Sequence, residues 1–137
     1  IEIRNPKSVR PWQNVMDAIF GYIILAEKSY NSIIFNGSWN FGPSEKKVIK
    51  VEDITKKLIK LSNFKKGFRV KKKKNNYESK YLFLDSNKSK SKLGWKTNID
   101  LDNTLSDIVQ WNQLKNKSLK QKYIRNKIKS YISFYIQ

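Results

Sequence analysis

Ile3-Arg4-Asn5-Pro6-Lys7-Ser8-Val9-Arg10-Pro11-Trp12-Gln13-Asn14-Val15 is the stretch on which the reading of the fold turns. Ile1 to Ile3 reads as the end of a short strand, and Asn5 to Ser8 as the loop that follows it. Val9 to Val15 is expected to be extended or turn-like, because Pro11 removes a backbone donor and pushes Arg10 out of the helical region. From about Met16 to Tyr30, Ile19, Phe20, Ile23, Ile24 and Ala26 recur at helical spacing. That helix is apolar enough to be expected largely buried.

Outward from this stretch the pattern alternates short extended pieces with helices. Asn36-Gly37 signals a turn, and Ser38 to Phe41 reads as a short strand closed by Gly42-Pro43. Val51, Ile54, Leu58 and Leu61 form the apolar face of a second helix with lysines outside. Phe68 to Val70 and Tyr81 to Leu84 read as further strands or tight extended segments. Asp85 is placed to cap a short helix over Asn87 to Lys92, ended by Leu93-Gly94. Asp102 or Asn103 is expected to cap the next helix, which carries Leu105, Ile108, Val109 and Leu114. The tail from Leu119 to about Tyr135 sets Leu119, Tyr123, Ile124, Ile128, Tyr131 and Ile132 on one side and basic residues on the other. The fold class expected is α/β, helix-rich with a few short strands. No repeat of twenty to fifty residues is visible.

Composition sets the outer limits. The chain has 137 residues, room for about one domain. It contains no Cys and no His, which excludes disulfide frameworks, thiol nucleophiles and histidine acid/base chemistry. The aromatic share of 13% argues against disorder despite a formal charge of +18. That charge invites a nucleic-acid reading centred on Lys65 to Lys74. Arg, however, stands only at Arg4, Arg10, Arg69 and Arg125, and Lys supplies the remainder of the 29 basic residues. Phosphate and base-edge recognition favour the guanidinium fork. Lys, Asn, Ile, Tyr and Phe also share A/T-rich codons, so a solvated lysine surface is the preferred reading, with no nucleic-acid partner. The longest nearly apolar run, Ala18 to Ala26, is about half of what a membrane span needs. No leader pattern opens the chain, so no membrane association and a cytoplasmic location are expected. The first residue is Ile1 and the sole methionine is Met16, which leads us to expect a piece of a longer or processed polypeptide.

The sequence carries none of the common catalytic patterns. Gly21, Gly37, Gly42, Gly67 and Gly94 are too scattered for a phosphate loop. The acidic residues show no metal-ligand spacing. Tyr123 and Lys127 stand at Tyr-x-x-x-Lys spacing, where a lysine can lower a phenol's pKa, but they lie in an amphipathic tail and read as packing residues. The chain shows no recognisable active site of its own.

Three segments, in order, resemble a known family. They are Ile3 to Val15 with Gly21 to Lys28, then Trp39-Asn40-Phe41-Gly42-Pro43, then Tyr81 to Lys96. Together they are similar to the C-terminal part of the CDP-glucose 4,6-dehydratases, extended short-chain dehydrogenases/reductases of the NAD-dependent epimerase/dehydratase group. The run Arg4-Asn5-Pro6 followed by Arg10-Pro11-Trp12-Gln13 is fairly specific for that dehydratase. Lys92-Leu93-Gly94-Trp95-Lys96 occurs across many nucleotide-sugar epimerases and dehydratases. The resemblance weakens after about Trp111.

The resemblance implies a substrate-binding C-terminal part, residues 1–116, followed by a basic amphipathic helix, residues 117–137. The Rossmann half that binds NAD and holds the catalytic groups would be missing. In the family that half oxidises the sugar at C4, eliminates water across C5 and C6, and returns the hydride. CDP-glucose thus becomes CDP-4-keto-6-deoxyglucose and water, for deoxysugars of surface polysaccharides. Arg10 matches the family arginine that reaches the substrate pyrophosphate, and Trp12 and Gln13 flank it in the cleft. Lys74, Tyr77 and Glu78 fall in a second substrate-contacting segment. Tyr77 stands where the family usually has a His, and Asn14 replaces another. Trp39, Asn40, Leu93, Gly94 and Trp95 are assigned to packing and turns. Alone the chain would be inactive, would expose apolar surface at the former junction, and would leave homodimer formation to the missing half. Two alternatives remain: an enzyme for another nucleotide sugar, and a basic nucleic-acid-binding module.

Overall fold

A computed structural model of the chain describes residues 1–43, 48–71 and 79–133. In chain order its elements are β1 (Glu2–Ile3), α1 (Val15–Asn31), a 3₁₀ turn (Ile33–Phe35), α2 (Val51–Ser62), β2 (Arg69–Val70), α3 (Asn87–Leu93), α4 (Leu101–Gln113) and α5 (Lys117–Ser133). β1 and β2 pair in parallel, Glu2 opposite Arg69 and Ile3 opposite Val70. This is a helix-rich structure with two short parallel strands, compatible with a fragment of an α/β fold.

Val9 sits at the centre of three chain segments and is fully buried. It bridges Lys50 on one side and Tyr81 on the other. Its amide donates to the Lys80 carbonyl at 2.8 Å, and its carbonyl accepts from Leu82 at 3.2 Å. The Pro6–Ser8 loop also serves α2, whose first turn has no partners within its own helix. Val51 donates to the Ser8 carbonyl at 2.9 Å and Glu52 to that of Pro6 at 3.0 Å. Asp53 closes the turn by accepting from the Lys50 amide at 3.0 Å.

The core lies beneath α1 and α3. Phe41, Leu93 and Trp95 are its buried centre, with Ile24, Leu25, Phe35 and Trp39 against it. Phe41 meets Trp95 edge to face at 5.2 Å. Gly94 ends α3 in the left-handed region at φ 69°, a conformation that costs other residues more. The assignment of Trp39, Leu93, Gly94 and Trp95 to packing and turns agrees with this arrangement.

The structure departs from the sequence reading in several places. No strand forms over Ser38–Phe41. Side chains take the backbone groups there: Lys88 Nζ donates to the Ser38 carbonyl at 3.0 Å, Ser89 Oγ to that of Asn40, and Gln13 Nε2 to that of Phe41 at 2.7 Å. Gly42 donates in turn to Ser86 Oγ at 2.7 Å. Helix α1 is not largely buried; only Asp17 and Gly21 are, while Ile19, Tyr22 and Ile23 stay about half exposed. The core covers one stripe of the helix and leaves the rest. Helix α4 is capped by Asp100, whose carboxylate accepts from Asn103 at 2.8 Å, not by Asp102 or Asn103. Asp102 instead pairs with Lys57 of α2. On α5 only Tyr131 of the apolar stripe is buried.

Candidate cleft around Arg10

The run from Val9 to Gln13 leaves the Val9 bridge and turns towards the N-terminus of α1. Asn14 caps that helix by accepting from the Met16 amide at 2.9 Å, and its Nδ2 donates to Thr104 Oγ1 at 3.1 Å. The turn brings Arg10, Trp12 and Gln13 to one side of an open cleft of about 290 Å³. Phe83, Ile49 and the stretch Thr97–Leu101, which leads into α4, line the same cleft. Ligand sites usually hold about 300–1,000 Å³, so a cleft at the lower edge accommodates one end of an extended ligand.

Each predicted residue on the run is fixed by backbone acceptors. Arg10 Nη1 donates to the Val9 carbonyl at 2.7 Å and to that of Ser79 at 3.0 Å. These bonds hold the guanidinium at the cleft, where its planar fork suits a bidentate oxyanion. Trp12 Nε1 donates to the Ile49 carbonyl at 3.0 Å, pinning the indole across the cleft wall. Gln13 Nε2 bonds Phe41, which fixes the amide and leaves Oε1 buried without a hydrogen-bond partner. A buried acceptor of that kind carries a desolvation cost. Lys74, Tyr77 and Glu78 lie outside the described residues.

Behind the cleft lining stands a residue that the motif reading passed over. Asp17 is fully buried on α1. Its carboxylate accepts from the Asn98 amide at 3.0 Å, the Ile99 amide at 3.4 Å and the Tyr131 hydroxyl at 2.6 Å. Its backbone carbonyl accepts from Trp95 Nε1 at 2.7 Å. Among the described residues no ion pair is made to it. An acid one helical turn before Gly21, on the face that meets the core, was the available signal.

The Tyr123–Lys127 pair is not part of the cleft. The Tyr123 hydroxyl donates to Asp107 Oδ1 at 2.9 Å, and Lys127 Nζ pairs with the same oxygen at 2.6 Å. Burial, and then the bond to Asp107, raises the phenol's pKa above its ordinary value. A proton-transferring phenol would need the opposite shift. The pair clasps α5 to α4.

No family model matches the chain. Among characterised proteins, CDP-glucose 4,6-dehydratase from Salmonella typhimurium is 37% identical over 112 residues, or 81% of this chain. The chain spans only 31% of that protein's length. No helix among the described residues is long and apolar enough to cross a membrane. Over the shared region the chain is homologous to CDP-glucose 4,6-dehydratase, the family that its Arg4 to Gln13 run resembles.

Proposed function

We propose that this chain is the substrate-binding region of a nucleotide-sugar 4,6-dehydratase that acts on CDP-glucose. The observation that carries the reading is the position of Arg10, held by two carbonyls at a cleft that its own sequence run builds. In this reading the guanidinium grips the diphosphate bridge. Trp12 and Phe83 offer apolar ring surface beside it, and Gln13 lines the same cleft. In this reading residues 1–116 are the substrate-binding region, and residues 117–137 form the basic C-terminal segment that contains α5.

NAD is the cofactor of the dehydratase family and takes up the hydride from the sugar. The described residues do not fit it. Helices α1 to α4 open from Asn14, Lys50, Ser86 and Asp100, and none follows a glycine-rich turn that would bring backbone amides to a pyrophosphate. We therefore assign NAD binding and the redox chemistry to regions outside this chain, and expect the chain alone to be inactive.

The test is calorimetric titration of CDP-glucose into the complete enzyme and its Arg10→Ala variant. Loss of a charge-assisted contact lowers affinity by about 1.5–3 kcal/mol, or roughly 10- to 150-fold. Arg10→Lys recovers only part of this, because an ammonium cannot make the paired contact. Equal affinity in wild type and Arg10→Ala would remove the arginine from the site. A panel of UDP-, dTDP- and GDP-glucose checks the nucleotide, and tighter binding of any of them than of CDP-glucose replaces the substrate named here.

A further inference from the structure

The stretch of the cleft wall at Asn98 and Ile99 is anchored on a buried side chain. Asn98 and Ile99 line the cleft, and the backbone amides of both are anchored on the buried carboxylate of Asp17. That carboxylate also accepts from the Tyr131 hydroxyl, near the end of α5, at 2.6 Å. Tyr131 is the one buried side chain among the described residues of α5, and its ring meets Phe20 of α1 edge to face at 5.7 Å. The other clasp of α5, through Tyr123 and Lys127 to Asp107, grips α4 and reaches no cleft residue.

We propose that Asp17 and Tyr131 are positioning residues for the nucleotide-sugar cleft: the C-terminal helix sets the cleft wall through one buried carboxylate. This rests on the substrate-binding reading above. A fully buried carboxylate keeps a fixed place only while its oxygens are matched by donors. Removing the tyrosine hydroxyl strips Oδ1 of its shortest bond and leaves the Asn98 amide on Oδ1 and the Ile99 amide on Oδ2. Asp17 then loses its bond to α5, and the two loop amides rest on an acceptor that the tail no longer holds. The tail thereby acts on ligand affinity without touching the ligand. An Asp and a Tyr at these two positions lie 114 residues apart in sequence, so the link exists only in the folded chain.

The experiment compares Tyr131→Phe with Tyr123→Phe in the full-length protein. Each removes a tyrosine-to-aspartate hydrogen bond from α5 and keeps the ring, so Tyr123→Phe controls for a loosened helix. Amide hydrogen exchange is read at Asn98 and Ile99, and CDP-glucose affinity is measured well below the melting temperature. Tyr131→Phe is expected to speed exchange at both amides and to weaken binding by roughly three- to thirtyfold. Tyr123→Phe leaves both readouts as in wild type. Unchanged exchange at Asn98 and Ile99 in Tyr131→Phe overturns the relay. Faster exchange with unchanged affinity overturns the positioning role and leaves the Arg10 reading standing. Equal losses of affinity in the two variants also overturn it, since a merely structural contribution would act that way. If wild type binds no nucleotide sugar, the substrate-binding reading fails, and hydrogen exchange alone then judges the link from Tyr131 to the wall.

Discussion

Gly21 shows how tightly one residue can bind the fold together. A Cβ placed there would lie 2.6 Å from a Phe41 ring carbon and 2.9 Å from Trp95 Nε1, in the centre of the core. Neither ring can retreat, because Phe41 is packed on Trp95 and the indole N–H is bonded to the Asp17 carbonyl. Gly21→Ala is therefore expected to destabilise the protein by about 1–3 kcal/mol despite the gain in helix propensity, measurable as a lower denaturant midpoint. Arg10 illustrates the reverse situation. Its identity was legible as a guanidinium in a lysine-rich chain, but its usefulness depends on carbonyls of Val9 and Ser79, the second of them 69 positions away. Asp17 was the residue least legible in sequence. Its neighbours in the chain identify a helix, and nothing local says that a loop some eighty residues on will bring it two amides.

At the scale of elements, helix spans were readable and helix ends less so. The α4 cap falls on Asp100 because its carboxylate reaches the Asn103 amide, while Asp102 turns outward to Lys57. Asp100→Ala is expected to cost about 0.5–2 kcal/mol. Asp102→Ala, which breaks only an exposed ion pair, should cost about 1 kcal/mol or less. Thermal melts of the two variants decide between the two cap assignments. The α4–α5 clasp has a pH signature. The bond to Asp107 raises the pKa of Lys127, and burial with the same aspartate raises that of Tyr123. Both groups hold their protons more tightly in the folded chain than in the unfolded one. Their contribution is thus complete below the ordinary values of about 10 to 10.5 and is lost as pH climbs through the raised ones. The difference in Tm between wild type and Asp107→Asn should be steady near neutral pH and close as pH rises above about 10.

Over the whole molecule, the notable feature is what the fold leaves uncovered. Tyr30, Ile33 and Ile34 are 92%, 84% and 78% exposed, and Val15, Ile19, Tyr22 and Ile23 continue the apolar surface along α1. Contiguous apolar area of this kind is unusual on a lone domain. The isolated chain is expected to self-associate as its concentration rises, and an Ile33→Lys, Ile34→Lys variant to do so less, as sedimentation velocity would show. Sequence by itself determined where the helices run, that Arg10 precedes the first of them in a rigid proline-containing segment, and which homologous enzyme the chain resembles. Those properties follow from local periodicity, backbone restriction and short motifs, all written within a few residues. Only the tertiary structure decided that Ser38–Phe41 gives its backbone to side chains, that α1 is half bare, and that the tail reaches the cleft wall through Tyr131 and Asp17. Each of these depends on which distant donor meets which acceptor, and on which faces the rest of the chain is able to cover, and no local pattern encodes either.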